Sequence, residues 1–126
     1  MYEYRAAYIG NYDGDTVDFD IDCGFGIKYR IRTRLLNVDT YEMRGTEGED
    51  KEKAVAAKKL VEEVLTKAEE IIVRTSKDKK GKYGRYLAEI LYCPDKTQIN
   101  EEAESGFINL NNELIEKDLV TGIDRS

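Results

Sequence analysis

From Thr16 to Cys23 apolar and acidic residues alternate without a break: Val17, Phe19, Ile21 and Cys23 against Asp18, Asp20 and Asp22. That period of two predicts a strand with one face in the core. After Gly24-Phe25-Gly26 the alternation resumes from Ile27 to Leu36, with Ile27, Tyr29, Ile31 and Leu35 on one side and Lys28, Arg30, Arg32 and Arg34 on the other. The glycine-bounded loop predicts a hairpin. If Cys23 pairs with Ile27, the register sets Asp22 opposite Lys28, Asp20 opposite Arg30, Asp18 opposite Arg32 and Thr16 opposite Arg34. Arg30 and Arg32 then have acidic partners across the strands, and Arg34 is expected to have none.

Upstream, Tyr2 to Ile9 reads as a first strand and Gly10 to Gly14 as its turn. The period changes between Asp50 and Glu70, where Ala54, Ala57, Val61, Val64, Leu65 and Ala68 form one stripe; this predicts an amphipathic helix packed on the sheet. Glu49, Asp50 and Glu52 in its opening turn suit a helix N-terminus. Further strands are expected at Ile71 to Thr75 and at Tyr86 to Tyr92, the second ended by Pro94. Asp95 to Ser105 reads as a polar loop and Asn111 to Lys117 as a short last helix anchored by Leu114 and Ile115. Antiparallel signals dominate, so the elements fit a five-stranded antiparallel barrel with helices, an α+β fold, better than a parallel sheet.

The 126 residues fit one domain spanning 1–126. A balance of 20 basic against 26 acidic residues gives a net charge of -6, a field that repels nucleic acid except where a basic patch or a bound cation reverses it. The segment from Lys77 to Arg85 is such a patch, with five basic residues against one acidic. The chain has no histidine, which excludes histidine general bases, serine triads and histidine-containing metal sites. Cys23 and Cys93 match no metal-binding spacing and are expected to be buried thiols. No apolar run is long enough to span a bilayer and the N-terminal residues carry no export pattern, so a cytoplasmic protein with no membrane association is expected.

Hydrolytic chemistry must then run on carboxylates, arginines and a metal. Asp15 follows a glycine turn at the start of one hairpin strand, and Asp39 follows the end of its partner, so the fold brings them together. Two such carboxylates suit calcium or magnesium, which take oxygen ligands, and offer nothing to a soft metal. Glu42, three residues on, is placed to orient or deprotonate water. Arg34 and Arg85 supply planar, permanently charged forks for the charge that builds on phosphate oxygens.

Taken together, Asp13-Gly14-Asp15-Thr16-Val17, Arg34-Leu35-Leu36-Asn37-Val38-Asp39-Thr40-Tyr41-Glu42, Lys82-Tyr83-Gly84-Arg85-Tyr86-Leu87-Ala88 and Leu110-Asn111-Asn112-Glu113-Leu114 resemble the staphylococcal nuclease (thermonuclease) family over about Arg5 to Val120. The resemblance implies an OB-fold barrel with helices and a calcium-dependent nuclease that cuts DNA and RNA to 3′-phosphate ends. It implies Asp15, Asp39 and the Thr40 carbonyl as calcium ligands, and Glu42, Arg34 and Arg85 as the catalytic residues. Lys82 and Tyr83 would contact the nucleotide, and Asn111 would tie down a loop. A monomer acting on single-stranded or unstructured substrate is expected. Tyr41 stands where many relatives have proline, implying a looser loop before Glu42, and Asp118 replaces the usual glycine after the last helix. The long terminal helix and extra nucleotide-contacting tyrosine of secreted members are not expected. The alternative is an inactive OB module that binds nucleic acid or peptide.

Overall fold

The β2–β3 hairpin organises the barrel. In the computed structural model, which describes residues 2–43, 45, 47–80, 85–95 and 106–122, β1 is Tyr2–Asp13, β2 is Thr16–Asp22 and β3 is Lys28–Leu35. The partners of β2 and β3 run from Thr16 opposite Arg34 to Asp22 opposite Lys28, the register expected from the alternation. Cys23 N–H donates to Ile27 O at 2.9 Å, closing a three-residue loop in which Gly24, Phe25 and Gly26 all have positive φ. Val17, Phe19, Ile21, Ile31, Thr33 and Leu35 fill the inner face. Arg30 grips Asp20 at 2.7 and 3.1 Å and Arg32 grips Asp18 at 2.8 and 3.2 Å on the outer face. A slip of one residue would turn the apolar face outward, so register and burial enforce each other.

β1 continues past its expected end because two bulges, at Ile9 and Tyr12, let it follow β2 through Asp13. The turn is therefore shorter than the Gly10 to Gly14 segment expected, and centres on Gly14-Asp15. A Cβ on Gly14 would stand 2.7 Å from Ala57 Cβ and 3.0 Å from Thr40 Cγ2. Only a glycine lets the helix come this close. That helix, α1 (Gly48–Lys67), buries Ala54, Ala57, Val61 and Leu65, with Val64 and Ala68 packed at the margin of the core.

β4 (Asp39–Thr40) precedes α1, and β5 (Glu70–Lys80) and β6 (Tyr86–Cys93) follow it. β5 pairs antiparallel with β1 and with β6, and across these strands Arg74 bonds Glu3 at 2.5 Å and Glu89 at 3.0 Å. Barrel closure differs from expectation in one respect. β3 meets β6 in parallel, through Thr33–Tyr86, Arg34–Leu87 and Leu35–Ala88. Four antiparallel pairs and one parallel pair thus make a closed, mixed five-stranded barrel with two helices, the OB-type fold. The parallel contact lies between strands far apart in the chain, where no turn signal announces it.

Three two- or three-residue strands were not foreseen: β4, β7 (Ile108–Asn109), which pairs antiparallel with the end of β6, and β8 (Val120–Gly122), which pairs with β4. The last helix, α2 (Leu110–Glu116), is capped by Asn109, whose side chain accepts Asn112 N–H at 3.0 Å. It ends in a Schellman turn, Leu119 N–H to Leu114 O and Asp118 N–H to Ile115 O, both 3.1 Å. Asp118 has φ 57°, which explains why glycine would suit this position, and aspartate is among the few other residues that tolerate it. Cys93 is buried, but Cys23 is exposed at the end of β2, against expectation, because the hairpin projects beyond the core there. The expected loop from Asp95 to Ser105 falls, past Asp95, outside the described residues. No helix among the described residues is long and apolar enough to cross a membrane.

Asn111 joins these parts. Its side-chain amide donates to Leu36 O at 2.9 Å and to Ala88 O at 3.1 Å, and its oxygen accepts Ile90 N–H at 3.1 Å. Leu36 lies just after β3 and the other two lie on β6, so a single buried side chain satisfies backbone groups on both sides of the parallel seam. Asn111→Ala is expected to cost about 3 kcal/mol, since it strands buried donors and acceptors. Asn111→Asp keeps the acceptor but turns a carboxylate on two carbonyls, and is expected to be comparably destabilised. Urea unfolding of the three proteins measures both losses.

Candidate active site

The site grows from the end of the barrel where β1 turns into β2. Asp15, one residue before β2, is buried, and its carboxylate accepts Thr40 N–H at 3.2 Å through Oδ2 and the Thr16 hydroxyl at 3.3 Å through Oδ1. Its backbone carbonyl accepts Leu35 N–H at 2.9 Å. These bonds hold the start of β2, the end of β3 and β4 together, and Asp39 opens β4 beside them. Thr121 Oγ1 donates to Asp39 O at 3.0 Å and so fixes β4 from the β8 side.

Both arginines come to this end. Arg34 pairs with Thr16 across β2–β3, and its guanidinium meets Asp39 Oδ1 at 3.4 Å, with its side chain 17% exposed. The expectation that Arg34 has no ionic partner is thereby corrected. The relevant acid lies beyond the hairpin, on β4, where cross-strand register cannot reveal it. Arg85, one residue before β6, donates from Nη1 to Thr16 Oγ1 at 3.2 Å. Thr16 thus accepts from Arg85 and donates to Asp15, linking a cation to a carboxylate through one hydroxyl. It is a site residue that the sequence reading passed over, although it stands within the Asp13-Gly14-Asp15-Thr16 motif.

Glu42 is exposed on the segment that follows β4. The segment is tethered rather than loose. Asp13 Oδ1 accepts Met43 N–H at 3.2 Å, Lys51 Nζ donates to Met43 O, and Lys53 Nζ lies 5.8 Å from the centre of the Tyr41 ring. Contacts from the β1–β2 turn and from α1 therefore supply the restraint that proline at position 41 would have supplied. Lys82 and Tyr83 lie outside the described residues.

The electrostatics of the cluster bear on whether a cation fits. Burial pushes the Asp15 carboxyl above its usual range, the Thr40 N–H and Arg34 pull it down, and Asp39 and Asp13 push it up. Thr40 Oγ1 is buried close by with no hydrogen-bond partner. Among the described residues no three histidine, cysteine or acidic side chains converge as a metal cluster. The candidate set is instead two carboxylates, Asp15 and Asp39, with the oxygens of Thr40. Such an all-oxygen set with excess negative charge and an orphan hydroxyl fits a hard divalent cation.

The structure thus brings Asp15, Arg34, Asp39, Thr40 and Arg85 to one end of the barrel, with Glu42 on the adjoining segment. A search of curated proteins finds no match. The family model described as Staphylococcal nuclease homologue matches residues 32–120, from within β3 to the start of β8. That span takes in Arg34, Asp39, Glu42, Arg85 and Asn111, while the turn carrying Asp15 lies outside it, upstream of β2. With most of its length matched and the barrel in place, the chain belongs to the staphylococcal nuclease family.

Proposed function

We propose that the protein is a calcium-dependent nuclease that hydrolyses phosphodiester bonds of single-stranded DNA and RNA, leaving 3′-phosphate ends. The observation that carries the reading is the meeting of two arginines with two carboxylates around Thr16: Arg85 at 3.2 Å from its hydroxyl, Asp15 at 3.3 Å, and Arg34 paired with it across the strands and with Asp39 at 3.4 Å. Family membership supports nuclease-type chemistry.

In this reading Asp15, Asp39 and the Thr40 carbonyl hold the calcium ion. Bound there, the ion supplies Lewis acidity toward a phosphoryl oxygen. Arg34 and Arg85 hold the phosphate oxygens, one from β3 and the other from the residue leading into the adjacent β6, so little reorganisation is needed as charge develops. Glu42, exposed and next to the tethered Met43, takes the proton of the attacking water. Water oxygen bonds to phosphorus, the bond to the 5′ oxygen breaks, and the 5′ oxygen leaves as a hydroxyl by taking a proton from solvent water, while Glu42 returns the proton it accepted to solvent. Asp39 pairs with Arg34 at 3.4 Å, a contact that phosphate and cation would divide in the complex. Lys82 and Tyr83 complete the reading as contacts to the nucleotide, and the basic residues from Lys77 onward offset the net charge of -6 locally.

With single-stranded DNA and calcium, Glu42→Gln is expected to lower kcat by about 10²–10⁴-fold and Arg85→Ala by about 10²–10³-fold. Cleavage by Glu42→Gln at the wild-type rate removes Glu42 from the mechanism, and binding without cleavage by the wild type favours the inactive OB module.

A carboxyl held above its unfolded value costs stability at every pH above that range. Asp15→Asn is therefore expected to raise the Tm of the metal-free protein by a few degrees. Calcium is expected to raise the Tm of the wild type and leave that of Asp15→Asn in place. Differential scanning calorimetry with and without a chelator reads both effects, and an equal calcium shift in the two proteins contradicts the assignment of Asp15.

A further inference from the structure

β1 and β2 fall out of step just before the candidate site. Asn11 pairs with Val17 and Asp13 with Thr16, so Tyr12 is an inserted residue in a bulge. A bulge re-aims a side chain. Asn11 anchors this one, donating from Nδ2 to Asp13 O at 3.3 Å and to Lys58 O on α1 at 3.2 Å while its oxygen accepts the Tyr8 hydroxyl. The result is a large aromatic side chain, 61% exposed, held near Arg32 on a backbone tied to α1.

Tyr12 forms, with Asp13, Thr16, Arg32 and Arg85, the wall of an open cavity of about 290 Å³. Thr16 and Arg85 also belong to the candidate active site, so the cavity opens directly from it. Arg32 is held by Asp18 through two of its N–H groups, which neutralises its charge and fixes its guanidinium plane while other N–H groups of its five remain for a ligand. Asp13 accepts Met43 N–H and presents an acceptor toward which a base's amino group, not a phosphate, would turn. The set is an aromatic ring, a held planar fork, one acceptor and a cationic arm shared with the phosphate site. This is the chemistry of a nucleotide, flat ring on one side and phosphate on the other.

We propose that this cavity is a second nucleotide subsite, in which Tyr12 stacks on the base of the residue adjoining the scissile phosphate and Arg85 bridges that residue to the phosphate site. The inference rests on the nuclease reading. It makes the length and base content of the substrate, and not only its phosphate, a determinant of binding.

The test is fluorescence anisotropy with a labelled single-stranded oligonucleotide carrying one abasic position, stepped along the strand, at low salt in chelator. For the wild type, loss of the base at one position is expected to weaken binding by on the order of tenfold. Tyr12→Ala is expected to bind the intact strand that much more weakly and to be indifferent to that position, while Tyr12→Phe keeps the wild-type profile. An abasic profile identical in wild type and Tyr12→Ala overturns the subsite. Cleavage of the intact strand with calcium, run in parallel, separates the two readings. Cleavage with a Tyr12-independent profile sinks the subsite alone. A Tyr12-dependent profile without cleavage supports the subsite and sinks the catalytic reading, and neither binding in chelator nor cleavage with calcium, on any strand, sinks both.

Discussion

β3 and β6 run side by side in the same direction for only three residue pairs, yet without those pairs the sheet would be open, with β3 and the start of β6 each unpaired along one edge. The seam also sets the chemistry. Arg34 lies on one side of it, facing Leu87, and Arg85 enters the other strand two residues earlier, so closing the barrel brings two guanidinium groups to one end. Leu36 N–H to Ala88 O at 2.7 Å extends the seam, and Asn111 bonds backbone groups on both sides of it. The helix α2 is in turn held to β6 by Tyr92, whose hydroxyl donates to Glu113 at 2.6 Å. Burial, and then that partner carboxylate, push the phenol far above its ordinary range, which keeps it a donor at any working pH. Fold stability and site assembly thus draw on the same few contacts.

The cluster at the mouth of the barrel is locally costly. Asp15 is buried near two like charges, and Thr40 Oγ1 is buried without a partner. Natural proteins keep such arrangements where binding repays them. What permits this one is rigidity nearby: the Gly14 turn pressed against Ala57, the Asn11 ties to α1, and the backbone bond from Leu35 to Asp15. The acidic surface acts in the same sense. A chain with net charge -6 repels polyanions in general, so in the proposed reading attraction comes from a cation held by Asp15 and Asp39 and from arginines that register and closure bring together.

Local pattern made some of this legible and left the rest hidden. The β2–β3 register follows from strict alternation, since only one pairing buries Val17, Phe19, Ile31 and Leu35 and sets Asp18 and Asp20 against Arg32 and Arg30. The stripe of α1 follows from its 3.6-residue period. By contrast, the parallel seam, the β4–β8 pair and the Arg34–Asp39 contact join residues through tertiary closure, and no local period encodes them. Tyr12 was overlooked because a bulge hides within what reads as a turn. Thr16 was overlooked because a threonine opening a strand looks like a strand former until Arg85 and Asp15 are seen on its two sides.

The central claim is that barrel closure places Arg34 and Arg85 on one phosphate while Asp15 and Asp39 hold one cation. A crystal structure with calcium and a nucleoside 3′,5′-bisphosphate tests it most directly. The account predicts both guanidinium groups bonded to a single phosphate, with calcium about 2.3–2.6 Å from carboxylate oxygens of Asp15 and Asp39 and from the Thr40 carbonyl. A phosphate bound away from Arg34 and Arg85, or calcium coordinated without Asp15 and Asp39, would contradict it.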